Sequence, residues 1–129
     1  MENKITIEFA HICENVIVAQ NGNLSIINIF NQINAKSFPA IHSNLTVVVG
    51  AGGEEGEYEV NIQIINTQDY KLISSLKAPI KMKIPKSPAQ GRLFVNFSPL
   101  VIPSDGYYEI NISIGGQTKK LYFQVKRVE

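Results

Sequence analysis

The stretch Pro103–Val125 limits what this chain can fold into more than any other. After Ser104-Asp105-Gly106, the residues Tyr108, Ile110, Ile112 and Ile114 fall on one parity, and Tyr107, Glu109, Asn111 and Ser113 on the other. Successive side chains of a strand point to opposite faces, so the segment has one apolar face and one wet face. Gly115-Gly116 follows, two residues that reach positive φ without steric cost, as a tight hairpin turn requires. Leu121, Phe123 and Val125 repeat the apolar row on the return. Such a hairpin is marginal alone in water, so the remaining chain has to cover its oily side.

The remaining chain supplies more of the same material. Ile5, Ile7, Phe9, His11 and Cys13 share one parity, which predicts a first strand with His11 and Cys13 completing its apolar row. Val16 and Val18 lie on the opposite parity, and a bulge or bend near Glu14-Asn15 accounts for the slip. Asn21-Gly22, between VIVAQ and NLSII, predicts a type I′ hairpin turn. In the return strand Leu24–Phe30, Ile26 and Ile27 are adjacent, so it is expected to be buried on both sides or bulged. Residues 31–43 read as an irregular connection. Leu45, Val47 and Val49 form the next inward row, and Gly50–Gly56 reads as a flexible hairpin loop. Tyr58, Val60, Ile62 and Ile64 alternate with Glu59, Asn61 and Gln63, and Asn66-Thr67-Gln68-Asp69 is turn chemistry. Short strands are expected over 71–76 and 79–84, the latter with Ile80, Met82 and Ile84 inward and Lys81 and Lys83 outward. Pro85-Lys86-Ser87-Pro88 is a loop, Leu93–Phe97 a strand, and Pro99–Pro103 an extended lead into the hairpin.

No segment carries a sustained helical period. The expected fold class is all-β: a single-domain antiparallel β-sandwich over residues 1–129, immunoglobulin-like, with about eight to ten short strands. Asp105-Gly106-Tyr107-Tyr108 supports that type, because in such sandwiches a Tyr at a strand start bonds back to upstream backbone, the tyrosine corner.

Composition narrows the class of protein. The single Cys13 excludes an intramolecular disulfide framework and fits a reducing compartment. Glu2 and Glu8 interrupt the N-terminus, so no secretory leader is expected. The uncharged run Val16–Ala35 contains Gln20, Asn21, Asn23, Asn28, Asn31 and Gln32 and is too polar to cross a membrane. Triplets of the N-x-S/T form at Asn23, Asn44, Asn96 and Asn111 then reflect an Asn-rich composition. The expectation is a soluble cytoplasmic protein without membrane contact.

Net charge is +1, but residues 1–70 hold two lysines against eight acids, and residues 71–129 hold ten Lys and Arg against three acids. Such asymmetry marks a basic face only if the two halves stay apart in space. In a sandwich they interleave.

Chemistry-bearing constellations are sparse. His11 and Cys13 offer two soft ligands and His42 a third, but in strands they read as parts of an apolar row and a loop cap, short of a metal site. A Cys-His nucleophilic pair fails because residues two apart on a strand point in parallel. Gly50–Gly56 lacks the Lys-Ser/Thr of a phosphate loop and joins two strands. Glu54, Glu55, Glu57 and Asp69 lack the alternating oxygen ligands of a calcium loop. Lys71, Lys77, Lys81, Lys83, Lys86 and Arg92, backed by Lys119, Lys120, Lys126 and Arg127, form the best basic cluster. Interleaved aromatics are few, and strand lysines also guard edges against aggregation, which weighs against nucleic acid.

The segments Phe9-Ala10-x-x-Cys13-Glu14, Leu24-Ser25-Ile26-Ile27-x-Ile29-Phe30, Phe38-Pro39-Ala40-x-His42 and Gly106-Tyr107-Tyr108-Glu109 resemble the pattern of a family of small uncharacterised bacterial proteins. Asn28 departs from that pattern, standing where a Gly is usual. The resemblance covers most of the chain and implies a sandwich, with no assigned activity and no agreed site residues.

The functional expectation is therefore a non-catalytic module with no cofactor and no metal, acting through a protein partner or by self-association along an edge strand. Two alternatives stand beside it. One is a small-ligand or carbohydrate module using the end loops Gly50–Gly56 and Pro85–Gly91; the other is nucleic-acid binding through the lysine-rich half.

Overall fold

The computed structural model describes residues 4–129, so Glu2, part of the leader argument, lies outside the described residues. Two layers of strands enclose the core. The first sheet has the order β2-β1-β5-β9, from β1 (Ile5–Val18), β2 (Leu24–Ile29), β5 (Leu45–Gly53) and β9 (Gly91–Phe97). The second has the order β3-β12-β11-β6-β7, from β3 (Gln32–Ala35), β6 (Gly56–Asn66), β7 (Leu72–Ser75), β11 (Gly106–Ile114) and β12 (Gln117–Arg127). β8 (Ile80–Ile84) pairs with the first half of β6 while β7 pairs with the second, so together they line one edge. β4 (Ala40–His42) and β10 (Leu100–Ile102) form a small separate ladder. The described residues contain no helix, and none therefore long and apolar enough to cross a membrane.

The hairpin β11–β12 sits inside the second sheet and turns on Gly115 and Gly116, at φ 51° and 91°. Tyr108, Ile110, Ile112 and Ile114 are fully buried, with Phe123 and Val125 beside them. Burying each such side chain stabilises the fold by about 1.5–3 kcal/mol, so this row alone supplies a large share of the driving force. Opposite it pack Leu45, Val47 and Val49 of β5, and Ala10 and Ile12 of β1. Tyr108 Oη donates to the Ser104 carbonyl at 2.6 Å, so the expected backward bond from a strand-start tyrosine is present.

Twelve strands occur among the described residues, more than the eight to ten expected. The excess lies in β3, β4 and β10, pieces of three or four residues that are too short to show a period. β3 also runs parallel to β12, so the second sheet is mixed and not wholly antiparallel.

β1 departs most from its predicted pattern. Ile7 pairs with Ala51 and Phe9 with Gly50, so two positions on β1 oppose one on β5, a bulge centred on Glu8. Past it, Ala10 and Ile12 face the main core, and Phe9, His11 and Cys13 turn to the outer face of the sheet. The expected row linking Ile5, Ile7, His11 and Cys13 is thus broken by the one inserted residue. The expected change of parity at Glu14-Asn15 is present as a bend without a register shift: Cys13 and Val16 share one small cluster with Val48, while pairing with β2 stays in step. The Asn15 side chain accepts from the Val16 amide there.

Two turns also differ from expectation. Of Asn21-Gly22 only Gly22 has positive φ, and Ala19 O accepts from Gly22 N while Ala19 N donates to Asn23 O. That is a type I turn closed by a left-handed glycine, not type I′. Gly50–Gly56 is no hairpin loop: β5 and β6 belong to different sheets, and Glu54-Glu55 carries the chain across. The corner is tied down, with Glu54 N donating to Lys4 O and Tyr58 Oη to Glu54 O.

Candidate interaction surface

β2 was expected to be doubly buried or bulged. It is instead an outer edge of the first sheet, paired among the described residues only with β1 and in unbroken register from Val18–Leu24 to Cys13–Ile29. Leu24 and Ile26 pack on Val48 and Cys13, while Ile27 is 38% exposed and Ile29 56%. Ile17 and Val18 of β1 are also exposed beside them. The strand LSIINI has no charge and no proline, so it lacks the usual protections of an exposed edge. Its one irregularity is Asn28 at φ 56°, a left-handed conformation that Asn tolerates and Gly adopts freely.

The β1–β2 hairpin also arches over its own sheet. Val18, paired with Leu24, lies nine residues beyond Phe9, roughly 30 Å along a straight strand. Yet Leu24 and Phe9 line one groove of about 370 Å³, with Asn23, Ile26 and Arg92. Only a sharp bend of β1 brings them together, and the parity change across Glu14-Asn15 marks where the strand turns. The arch explains why Val48 and Thr46 are buried on a face that would otherwise be wet. Thr46 Oγ1 donates to Glu14 O at 3.1 Å and accepts from Asn96 Nδ2 at 2.9 Å, so this buried hydroxyl is satisfied.

The candidate ligating residues stay apart. His11 stacks on Phe9 with ring centroids 5.9 Å apart. Cys13 points its thiol at the Asn15 carbonyl, 3.5 Å away. His42 donates through Nε2 to Asn44 O at 3.0 Å, bridging the loop into β5, and leans on Phe30. Among the described residues no group of three or more His, Cys, Asp or Glu is placed to hold a metal ion.

Burial pushes the Cys13 thiol up, against a smaller lowering by its backbone hydrogen bond. A group whose folded pKa is raised keeps its stabilising contribution at low pH and loses it as pH climbs. Above the ordinary thiol value of about 8.5, the unfolded thiol ionises while the folded one stays neutral. Between pH 8 and 10, chemical denaturation is expected to show the wild type losing stability more steeply than Cys13→Ala. The extra slope is at most about 1.4 kcal/mol per pH unit. A thiol reagent should label Cys13 only on unfolding.

Several cations of the lysine-rich half stand beside acids or rings. Lys81 and Lys83 stand opposite Glu59 and Glu57 across the β8–β6 ladder. Arg92 lies on the first sheet, its Nε donating to Gln90 Oε1 at 2.8 Å, and Gln90 in turn donates to Glu8. Lys120 Nζ is 3.9 Å from Glu109, and Arg127 covers the Phe38 ring. Of the two end loops, Gly50–Gly53 is strand, and the grooves described here are lined by other residues.

Two β-sheets packed face to face, joined by many short turns and offering an uncharged edge, define an all-β sandwich protein. The chain belongs to a family of unknown function (DUF6941), whose model matches residues 8–126. No curated protein matches it. Among solved structures, it is similar to the Pseudomonas fluorescens alkylpurine DNA glycosylase AlkC bound to DNA containing an abasic site analog. The TM-score is 0.46 at 10% identity, over 91% of this chain and 30% of that one. The chain thus spans under a third of the length of that solved protein.

Proposed function

We propose that the protein is a non-catalytic interaction module of the immunoglobulin-like type, working in a reducing, cytoplasmic setting, and that it associates with a second copy by pairing β2 edge to edge. The type is supported by strand order: β1-β5-β9 opposite β12-β11-β6 corresponds to strands A-B-E opposite G-F-C of immunoglobulin domains. Tyr108 then falls near the start of the strand corresponding to F, the place of the tyrosine corner.

The observation that carries the functional reading is the unprotected β2 edge. An extended edge offers a row of backbone donors and acceptors, and specificity comes from the side chains flanking it. Because LSIINI is uncharged, it meets its own copy without like-charge repulsion, and a twofold pairing brings Ile27 and Ile29 of both copies together.

Light scattering coupled to size exclusion tests this. The expected result is a concentration-dependent dimer that Ile29→Lys converts to monomer, with little change in melting temperature because Ile29 is exposed. A wild type that stays monomeric at all concentrations and recovers no partner from native lysate contradicts the proposal.

A further inference from the structure

The opposite layer carries a different surface. On the outer face of the second sheet, Tyr107 and Tyr122 expose 58% and 54% of their area, although both stand on the hairpin whose inner face is the most deeply buried of the fold. Tyr107 pairs with Gln124 and Glu109 with Tyr122, so the two tyrosines are diagonal neighbours across the ladder. With Asn31, Gln32, Phe123 and Gln124 they line an open groove of about 350 Å³.

We propose that this groove binds a neutral saccharide. Its lining has two kinds of group, and both suit a sugar. An aromatic face takes the apolar C–H side of a pyranose ring, and each amide presents a donor and an acceptor, the pattern a pair of neighbouring hydroxyls needs. The groups are held in place. Tyr122 Oη donates to Glu109 Oε1 at 3.4 Å, and Lys120 approaches the same oxygen, which ties down the tip of the Tyr122 ring. Gln32 Nε2 donates to Asn34 Oδ1 at 2.9 Å, fixing that amide with its carbonyl oxygen free for a hydroxyl.

Charge decides against an anionic ligand. None of the six lining residues carries a charge at neutral pH, and the nearby Lys120 faces Glu109. A phosphate backbone would find no row of cations here. A groove of this size and openness holds one or two sugar rings lying flat. The site differs from the loop-end site expected from sequence and is separate from the β2 edge, so either can fail without the other.

The test uses the full chain labelled with ¹⁵N, first screened on an array of neutral oligosaccharides and then titrated with the best binder, with maltotriose, cellotriose and chitotriose as fixed comparisons up to about 10 mM, the range of weak single-site binding. The expected result is saturable movement of the Gln32 and Gln124 side-chain amide signals. Tyr107→Ala and Tyr122→Ala should each weaken binding about tenfold or more, and Tyr122→Phe less, since it keeps the ring. Both tyrosines are exposed, so the variants should melt with the wild type. The proposal is overturned if no saccharide on the array or in the titrations binds, or if binding survives loss of both rings. It is also overturned if these amides respond instead to hexathymidylate with a steep salt dependence.

Discussion

Truncation of Tyr108 to alanine is expected to cost about 3–5 kcal/mol, the range for removing a fully buried aromatic. Three losses combine. The ring is completely buried in the main core. It stacks on Phe123 at 5.3 Å between centroids and 13° between planes. Its hydroxyl also holds the Ser104 carbonyl at 2.6 Å. Tyr108→Phe separates the terms, keeping ring and stack while leaving a carbonyl without its donor, for an expected loss of about 1–3 kcal/mol. Urea denaturation of the two variants checks both values. If the Phe variant matches the wild type, the backward bond does not stabilise the turn, and the corner is only a way to place a ring.

The second large effect is expected at Gly50. A Cβ there would overlap the Phe9 ring, which lies across the glycine on the outer face of the first sheet. Phe9 has no easy retreat, because it packs on the cluster of Cys13, Val16 and Val48 and stacks with His11. Gly50→Val should therefore destabilise by about 1–3 kcal/mol, the usual cost of overpacking. Phe9→Ala removes the obstacle. In that background Gly50→Val should cost far less, giving a coupling energy of at least about 0.5 kcal/mol in a double-mutant cycle. Simple additivity would mean that the ring yields freely and the close approach is incidental.

Much of this architecture was legible in the chain, and the reason is local. Where a strand buries one face only, parity reports the face directly, as for Tyr108 to Ile114, Val60 to Ile64, and Met82 with Ile84. Turn residues that must adopt positive φ announce themselves, as Gly115-Gly116 did. The failures share a cause as well. The Glu8 bulge inserts one residue without any compositional mark, so Phe9 and Cys13 looked like core and instead line the outer face. β3 is four residues long and its partner is remote, so no local signal predicts it. The Glu54 crossing looked like a hairpin because a corner between sheets uses the same glycines.

The candidate surfaces were harder to read than the core. Whether a strand is central or peripheral depends on which others flank it, so the open β2 edge is a property of the assembled sheet. Tyr107 and Tyr122 sat on the polar parity of their strands, and nothing in the chain joins them to Gln32. The charge asymmetry along the chain does not carry over to the ladder between β6 and β8, where Lys81 and Lys83 stand opposite Glu59 and Glu57 of the acidic half. Several residues of the short N-terminal patterns have packing roles. Ala10, Phe38 and Ala40 meet the main core, and Phe9 and Cys13 the smaller one.

The pairing of β3 with β12 sets an order of assembly. Gln32 waits for Gln124, 92 positions further on, and β11 reaches back to β6 in the same way. Emerging from the ribosome, the first third of the chain can close its own hairpin, but β3 has no neighbour in its sheet until residues 117–127 have been made. Contacts so distant along the chain make for slow, late folding. A lone hairpin is marginal in water, so over that interval the apolar residues of β1 and β2 lack their covering layer, a condition that favours mispairing between chains.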